Sequence, residues 1–341
     1  MKSENLEGVM KVTIKEVAKE ANVSTSTVSR VLSDSSQISE ETKSKVREAV
    51  KKLKYKPNAI ARSLANNKTR IIGVILPNEA QDLLTNPFFI QAMKGMSVYA
   101  QSKNYYITYA FSKDEAHEAH HVNDFINSNL VDGICLLRAK SDDDNIRYLK
   151  ETGFPFVVIG RPEETDGILW VDNDNFKATY DLVNDLVKRG KKKIAFLGAR
   201  EEWNLTKDRI NGFKVSCQMN GINIKEQDII IKEEFTEQEG IEATNELLKL
   251  GIPDAIVAED DMLAFGSLKV FKEKNLKDIS IIGFNNTQLA EFQNPPLASV
   301  DINAYELGYY AAKILIDSLE NNNNMDHYII DTNLVVRDSI K

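Results

Sequence analysis

Two short stretches of this 341-residue chain carry side chains at spacings that do chemistry. The first is Thr25-Ser26-Thr27-Val28-Ser29-Arg30. On a helix, Val28, Val31 and Leu32 turn inward and leave Thr25, Ser26, Ser29 and Arg30 outward. Arg suits a bidentate contact with guanine, and small hydroxyls suit a base edge or a thymine methyl. That chemistry is the reading of DNA. The second stretch, His117-Glu118-Ala119-His120-His121, fits the H-E-x-x-H pattern of zinc peptidases, since His117 and His121 would share one helix face. No third ligand follows at a known spacing, and Glu115, Glu118 and Asp124 make the segment read as a polar surface helix. The chain has four histidines, three of them in this segment, and no phosphate loop or Gly-x-Gly-x-x-Gly after a strand. Neither an enzyme nor a metal or cofactor is expected.

The elements around the first stretch must hold it in place. Thr13 caps a first helix, with Glu16 three positions on as a capping box. Ile14, Val17, Ala18 and Ala21 recur at helical spacing. Asn22 stands where the chain needs a left-handed turn, which Asn tolerates. Ser24 then caps the second helix. The pair reads as a helix-turn-helix with a second helix small enough to enter a major groove. A third helix is predicted from a cap at Ser39 to Lys54, with Val46, Val50 and Leu53 buried. Tyr55-Lys56-Pro57 ends it, because the residue before proline avoids the helical region. Asn58 to Ala65 has room for one or two helical turns, which are marginal alone in water. Asn66 to Arg70 is a polar linker.

Charge supports the same reading. Residues 1–70 hold 15 Lys+Arg against 8 Asp+Glu, while the remaining 271 hold 28 against 43. A whole-chain net charge of −8 would argue against a nucleic-acid partner, but the asymmetry along the chain outweighs it. Only the basic end needs to meet phosphate, and the acidic body discourages nonspecific sticking. Cys135 and Cys217 lie in apolar surroundings and read as reduced, buried thiols. No apolar run approaches the roughly 18 residues of a membrane helix, and the polar residues 1–10 lack the apolar core of an export signal. Met10 is a possible start. A soluble cytoplasmic protein that avoids the membrane is expected.

Beyond the linker, short apolar runs alternate with amphipathic helices. Strands are expected at Ile71–Leu76, Tyr105–Ala110, Val131–Leu136, Phe156–Ile159, Lys193–Leu197, Ala255–Ala258 and Ile279–Gly283, with a final one at Tyr328–Val336 after the four-Asn loop Asn321–Asn324. Helices such as Ile90–Lys103 and Asn175–Arg189 lie between them. Apolar strands separated by helices mean a parallel sheet buried on both faces, hence an α/β fold. Ligands of such folds gather beyond the carboxyl ends of the strands.

Six blocks, taken in order and spacing, resemble the LacI family of transcriptional repressors over nearly the whole chain. They are Val12-Thr13-Ile14-Lys15-Glu16-Val17-Ala18, Thr27-Val28-Ser29-Arg30-Val31, Tyr55-Lys56-Pro57-Asn58-Ala59-Ile60-Ala61-Arg62-Ser63-Leu64, Asn86-Pro87-Phe88-Phe89, Arg209-Ile210-Asn211-Gly212-Phe213 and Ile282-Gly283-Phe284-Asn285. The resemblance implies a helix-turn-helix headpiece (1–57), a hinge helix and linker (58–70), and a core similar to periplasmic sugar-binding proteins. That core divides into an N-terminal subdomain (71–189 plus 303–321) and a C-terminal one (190–302 plus 322–341). The chain then crosses between them near 189–192, 300–303 and 321–327. It also implies base contacts from Thr25, Ser26, Ser29 and Arg30, and hinge contacts from Ala61 and Leu64. Leu64 would wedge a minor-groove base step.

For the core, the resemblance implies an effector site of Asn86, Phe88, Phe89, Arg161, Asp172 or Asp174, Arg209, Asp260, Asp261 and Asn285, with Trp203 stacking on a sugar ring. Two departures from the family pattern stand out. Asn22 replaces a usual Gly, and Ile302 replaces a usual Gln, for which Asp301 or Asn303 would substitute. Val171-Asp172-Asn173-Asp174-Asn175 with Val300-Asp301-Ile302-Asn303 is similar to the maltose and maltooligosaccharide operon repressors, which implies maltose or a related α-glucoside. The partners implied are a near-palindromic operator, a second copy of the chain and a small sugar. Two alternatives stand beside this reading: a catabolite-control regulator answering to a phosphorylated carrier protein, and a sugar-binding protein that does not touch DNA.

Overall fold

The structure, a computed structural model, describes residues 12–32, 35, 37–55, 68–77, 87–112, 114–321 and 325–341. The chain forms two compact units, residues 1–69 and 70–341. In the first, α1 (Ile14–Glu20), α2 (Thr25–Leu32) and α3 (Glu40–Lys52) enclose Val17, Val28, Val31, Val46 and Ala49. The turn between α1 and α2 is made by Asn22 at φ 54°, as its type predicts. Glu16 reaches back to the Thr13 N–H at 2.7 Å, and the Ser24 hydroxyl accepts from the Thr27 N–H at 3.1 Å. Ser39 caps α3 through the Thr42 N–H. Local chemistry thus sets each helix start.

The second unit begins with β1 (Ile71–Pro77), α4 (Pro87–Ser102), β2 (Tyr106–Ser112), α5 (Glu115–Asn127), β3 (Gly133–Leu136), α6 (Asp144–Thr152), β4 (Phe156–Ile159), β5 (Leu169–Asn173) and α7 (Asn175–Lys188). It continues with β6 (Ile194–Ala199), α8 (Asn204–Met219), β7 (Ile229–Lys232), α9 (Glu237–Leu250), β8 (Ala255–Ala258), α10 (Asp261–Glu273), β9 (Ser280–Phe284), α11 (Gln288–Glu291) and β10 (Ala298–Asp301). Then come α12 (Ala304–Leu319), β11 (His327–Ile330) and β12 (Asn333–Val335). One six-stranded sheet has the order β11-β5-β4-β3-β1-β2 and the other β12-β10-β9-β8-β6-β7. Among the described residues, every pairing of these strands is parallel except that of β12 with β10. The inner strands are buried along their length, which is why they read as unbroken apolar runs.

Three strands lie outside the expected set. β5 and β10 carry polar residues whose partners lie far away in sequence, such as Ser299, which donates to Asp261 at 2.6 Å. β7 is a half-buried edge. The end of the chain also differs from the single expected strand Tyr328–Val336. It splits into β11, in the first sheet, and β12, in the second, so the third crossing falls at Asp331-Thr332 rather than at 321–327. Residues 327–330 accordingly pair with β5 and do not belong with the C-terminal sheet. Asn173 fixes this arrangement: its amide donates to the carbonyls of Ile302 (3.0 Å) and Ile330 (2.9 Å), one on each of two crossing segments.

α4 and α12 pack backbone against backbone. A Cβ built on Gly308 would stand 1.9 Å from the Ala92 carbonyl oxygen, and one on Gly95 would stand 2.0 Å from that of Tyr305. Neither carbonyl can retreat without moving its helix. Gly308→Ala should therefore destabilise the core by about 1–3 kcal/mol, the range for overpacking, despite the better helix propensity of Ala. Urea unfolding of the variant measures this, and an unchanged midpoint would mean that the helices have slack.

Candidate functional site

On the headpiece, Thr25, Ser26, Ser29 and Arg30 are exposed along α2, while Val28 and Val31 turn into the three-helix core. The Ser26 hydroxyl lies 2.7 Å from that of Ser24, so it shares in the cap at the helix start. Ala61 and Leu64 lie outside the described residues, as does Asn86 of the core.

In the second unit, a cavity of about 470 Å³ lies between the carboxyl ends of the two sheets. That is within the size range of small-molecule sites, and it sits where parallel α/β sheets place their ligands. One wall is apolar, with Phe88 and Phe89 from the first turn of α4 and Leu137, Ile159 and Leu307 beside them. The two phenyl rings meet edge to face at 5.2 Å. Across from them, Trp203 at the start of α8 leans on Phe235 at 5.5 Å, and both rings line the space. The polar groups come from strand ends: Asp172 and Asn173 from β5, Glu259 and Asp260 after β8, and Asn285 after β9.

Arg209 joins these groups. It is 4% exposed, its Nε donates to the Asn175 side chain at 2.9 Å, and its Nη1 donates to the Glu259 carbonyl at 2.7 Å. The guanidinium also lies 4.1 Å from the centre of the Phe284 ring. Asp260 is split between tasks, with one oxygen accepting from the Met262 N–H (2.7 Å) and the other from the Asn285 amide (2.6 Å). Such a set of fixed carboxylates, amides and a guanidinium, facing aromatic rings, suits a molecule with hydroxyls on its edges and apolar faces.

Several expected positions fall elsewhere. Asp172 lines the cavity, whereas Asp174 caps α7 through the Lys177 N–H (2.8 Å) and faces an outer groove. Two residues apart on one strand they would share a face, but β5 ends at Asn173 and Asp174 is already the cap of α7, so the alternation stops between them. Asp261 is fully buried behind the site, accepting from the Thr287 N–H (2.7 Å) and the Ser299 hydroxyl (2.6 Å). Arg161 is exposed and does not line the cavity; it contributes its N–H to Asp172 at 2.9 Å, and its guanidinium lies over Trp170. Ile302 does line the cavity, but Asp301 and Asn303 do not and so leave the wall there apolar.

Sequence reasoning also missed Asn173, Asn175, Glu234, Phe235 and Glu259. Glu259 directly follows the strand Ala255–Ala258, and that position was the available signal. The histidine segment is corrected in one respect. Glu118 is not a surface residue: it is buried in an ion pair with Arg138, so its carboxylate is turned away from the solvent. His117 bonds Asp114 and His121 bonds the Phe111 carbonyl.

Burial dominates the titration of the carboxylates. It pushes Asp172 up to about 6, against the pull of the Asn173 and Arg161 N–H groups and of Arg209. Glu259 is pushed up to about 7 by burial, with Arg209 and the Thr206 hydroxyl opposing, and Asp261 likewise to about 7. The folded chain therefore keeps a proton on Asp261 that the unfolded chain releases near its ordinary value of 3.8. Between these two values stability falls as pH rises, by up to about 1.4 kcal/mol per pH unit for each retained proton. Asp261→Asn should flatten the decline between pH 4 and 7 and gain stability over the parent at pH 8. Urea midpoints across that range measure it, and parallel curves for both proteins would show that Asp261 is ionised in the fold.

The comparisons with known proteins agree with both halves of the chain. Residues 13–58 match the family described as bacterial regulatory proteins, lacI family, and residues 183–340 match the periplasmic binding protein-like domain. The HTH-type transcriptional regulator MalR of Streptococcus pneumoniae is 35% identical over 319 residues, or 92% of this chain and 95% of that protein. A solved complex of the transcriptional regulator CelR with cellobiose is 26% identical with a TM-score of 0.74, covering 96% of this chain and 100% of that one. The lac repressor dimer bound to operator and an anti-inducer, 22% identical, shares the fold at a TM-score of 0.81 over 97% of this chain and 99% of its own. These relatives are transcriptional regulators by name. The chain belongs to the LacI family of bacterial DNA-binding transcriptional regulators.

Proposed function

We propose that this regulator represses sugar-utilisation genes and lets go of its operator when maltose or a related α-glucoside fills the core cavity. The observation that carries the reading is the cavity onto which Asp172, Arg209, Asp260 and Asn285 open opposite the rings of Phe88, Trp203 and Phe235. Its volume of about 470 Å³ has room for a disaccharide. The MalR relative and the cellobiose-bound relative favour the same class of ligand.

On this reading two copies pair on a near-palindromic operator, so that each α2 enters a major groove and each hinge around Ala61 and Leu64 enters the minor groove. Residues 1–57 form the headpiece, 58–65 the hinge helix and 66–70 the linker, and a DNA partner implies a cytoplasmic protein. A sugar shifts the balance only by binding one state of the core better than the other.

Anisotropy of a labelled operator duplex tests both halves. Arg30→Ala should weaken specific binding roughly 5- to 150-fold, the 1–3 kcal/mol of a bidentate base contact, with little effect on random DNA. Maltose should release the wild-type protein. Equal losses on operator and random DNA would make Arg30 a phosphate contact, and indifference to every sugar would favour a protein corepressor such as a phosphorylated carrier.

A further inference from the structure

We infer that Arg70 is a positioning residue that carries the state of the cavity to the linker, through the paired helices α4 and α12. This rests on the cavity being the effector site. Arg70 is the residue at which the second unit begins. It holds φ at 57°, a left-handed conformation that an L side chain disfavours, and its own contacts keep it there. Its N–H donates to Asp132 at 2.9 Å and its carbonyl accepts from the Tyr106 N–H at 2.8 Å. Its guanidinium donates to the Lys103 carbonyl at 2.9 Å, lies 3.7 Å from the Glu320 carboxylate and 5.3 Å from the centre of the Tyr105 ring.

Lys103 and Glu320 are the far ends of two helices that start at the cavity. α4 opens with Phe88 and Phe89 in the cavity wall and runs out at Lys103. α12 starts beside Ile302, places Leu307 in the same wall, and is capped by Glu320. Each helix has 16 residues and so spans about 24 Å. At Gly95 and Gly308 the two backbones approach with no room for a Cβ, so the helices pack as one close pair. Near the Arg70 end, the Tyr99 hydroxyl donates to Asp317 at 2.5 Å, and Lys313 binds the same carboxylate. A ligand that moves this pair as a rigid body therefore moves the carbonyl and the carboxylate that hold Arg70.

Full-length Arg70→Gly removes the side chain while glycine keeps the left-handed backbone at no steric cost. Its maltose affinity by calorimetry and its sugar-free operator affinity should stay within about threefold of wild type. The weakening of operator binding by saturating maltose, about tenfold or more in the wild type, should fall below about threefold. Arg70→Lys, which keeps a charge for Glu320, should restore part of that response, and Glu320→Gln should lose part of it. An Arg70→Gly protein with the full wild-type response overturns the inference and leaves the effector reading intact. A wild-type protein that grips its operator but ignores maltose overturns the effector reading, and the inference with it.

Discussion

A guanidinium taken out of water is the constraint around which the core is arranged. Arg209 is buried, a placement that desolvation alone makes unfavourable for its charged form. The fold compensates with directed acceptors, the Asn175 amide oxygen from the first subdomain and the Glu259 carbonyl from the second, and with the face of Phe284 beneath. Because the acceptors come from elements that follow different sheets, Arg209 ties the two halves of the core at the point where their strand ends open onto one space. Removing it would leave those acceptors unpaired and the nearby carboxylates without their cation.

The carboxylates respond to that arrangement. Asp172, Glu259 and Asp261 all titrate above the ordinary range because they are buried, yet only the first two reach the cavity. Glu259 is pinned by the Thr206 hydroxyl at 2.6 Å and the Ala199 N–H at 3.2 Å, with Gly198 leaving space for it, since a Cβ there would stand 2.5 Å from its oxygen. Its role is to hold the first turn of α8, and so Trp203 and Arg209, against β8. A polar network that is preorganised in this way loses little on meeting a ligand whose hydroxyls replace solvent.

Much of this was legible in the residues, for reasons that differ from place to place. The headpiece obeys local rules: a capping Ser24, a left-handed Asn22 and inward Val28 and Val31 depend on neighbours within a few positions. The inner strands announced themselves by unbroken apolar runs. What failed was whatever depended on distant partners. Ala298–Asp301 is a strand because Ser299 and Asp301 find bonds at Asp261 and Asn286, which no local window shows. The split of the last strand rests on the reach of Asn173 to Ile302 and Ile330. Choosing Asp172 over Asp174, or setting Asp261 behind the wall, needed the residue at which strand gives way to helix: Asp174 caps α7, and Asp261 is the first residue of α10 after the cap Asp260.

Central to all of this is a hydroxyl-rich guest that occupies the space around Arg209 and is held by both subdomains. A crystal structure of the protein grown with maltose addresses it directly. Sugar density is expected between the Phe88 and Trp203 rings, with hydroxyls within hydrogen-bond distance of Asp172, Arg209 and Asp260. Maltose bound elsewhere on the protein, with this cavity holding only water, would contradict it.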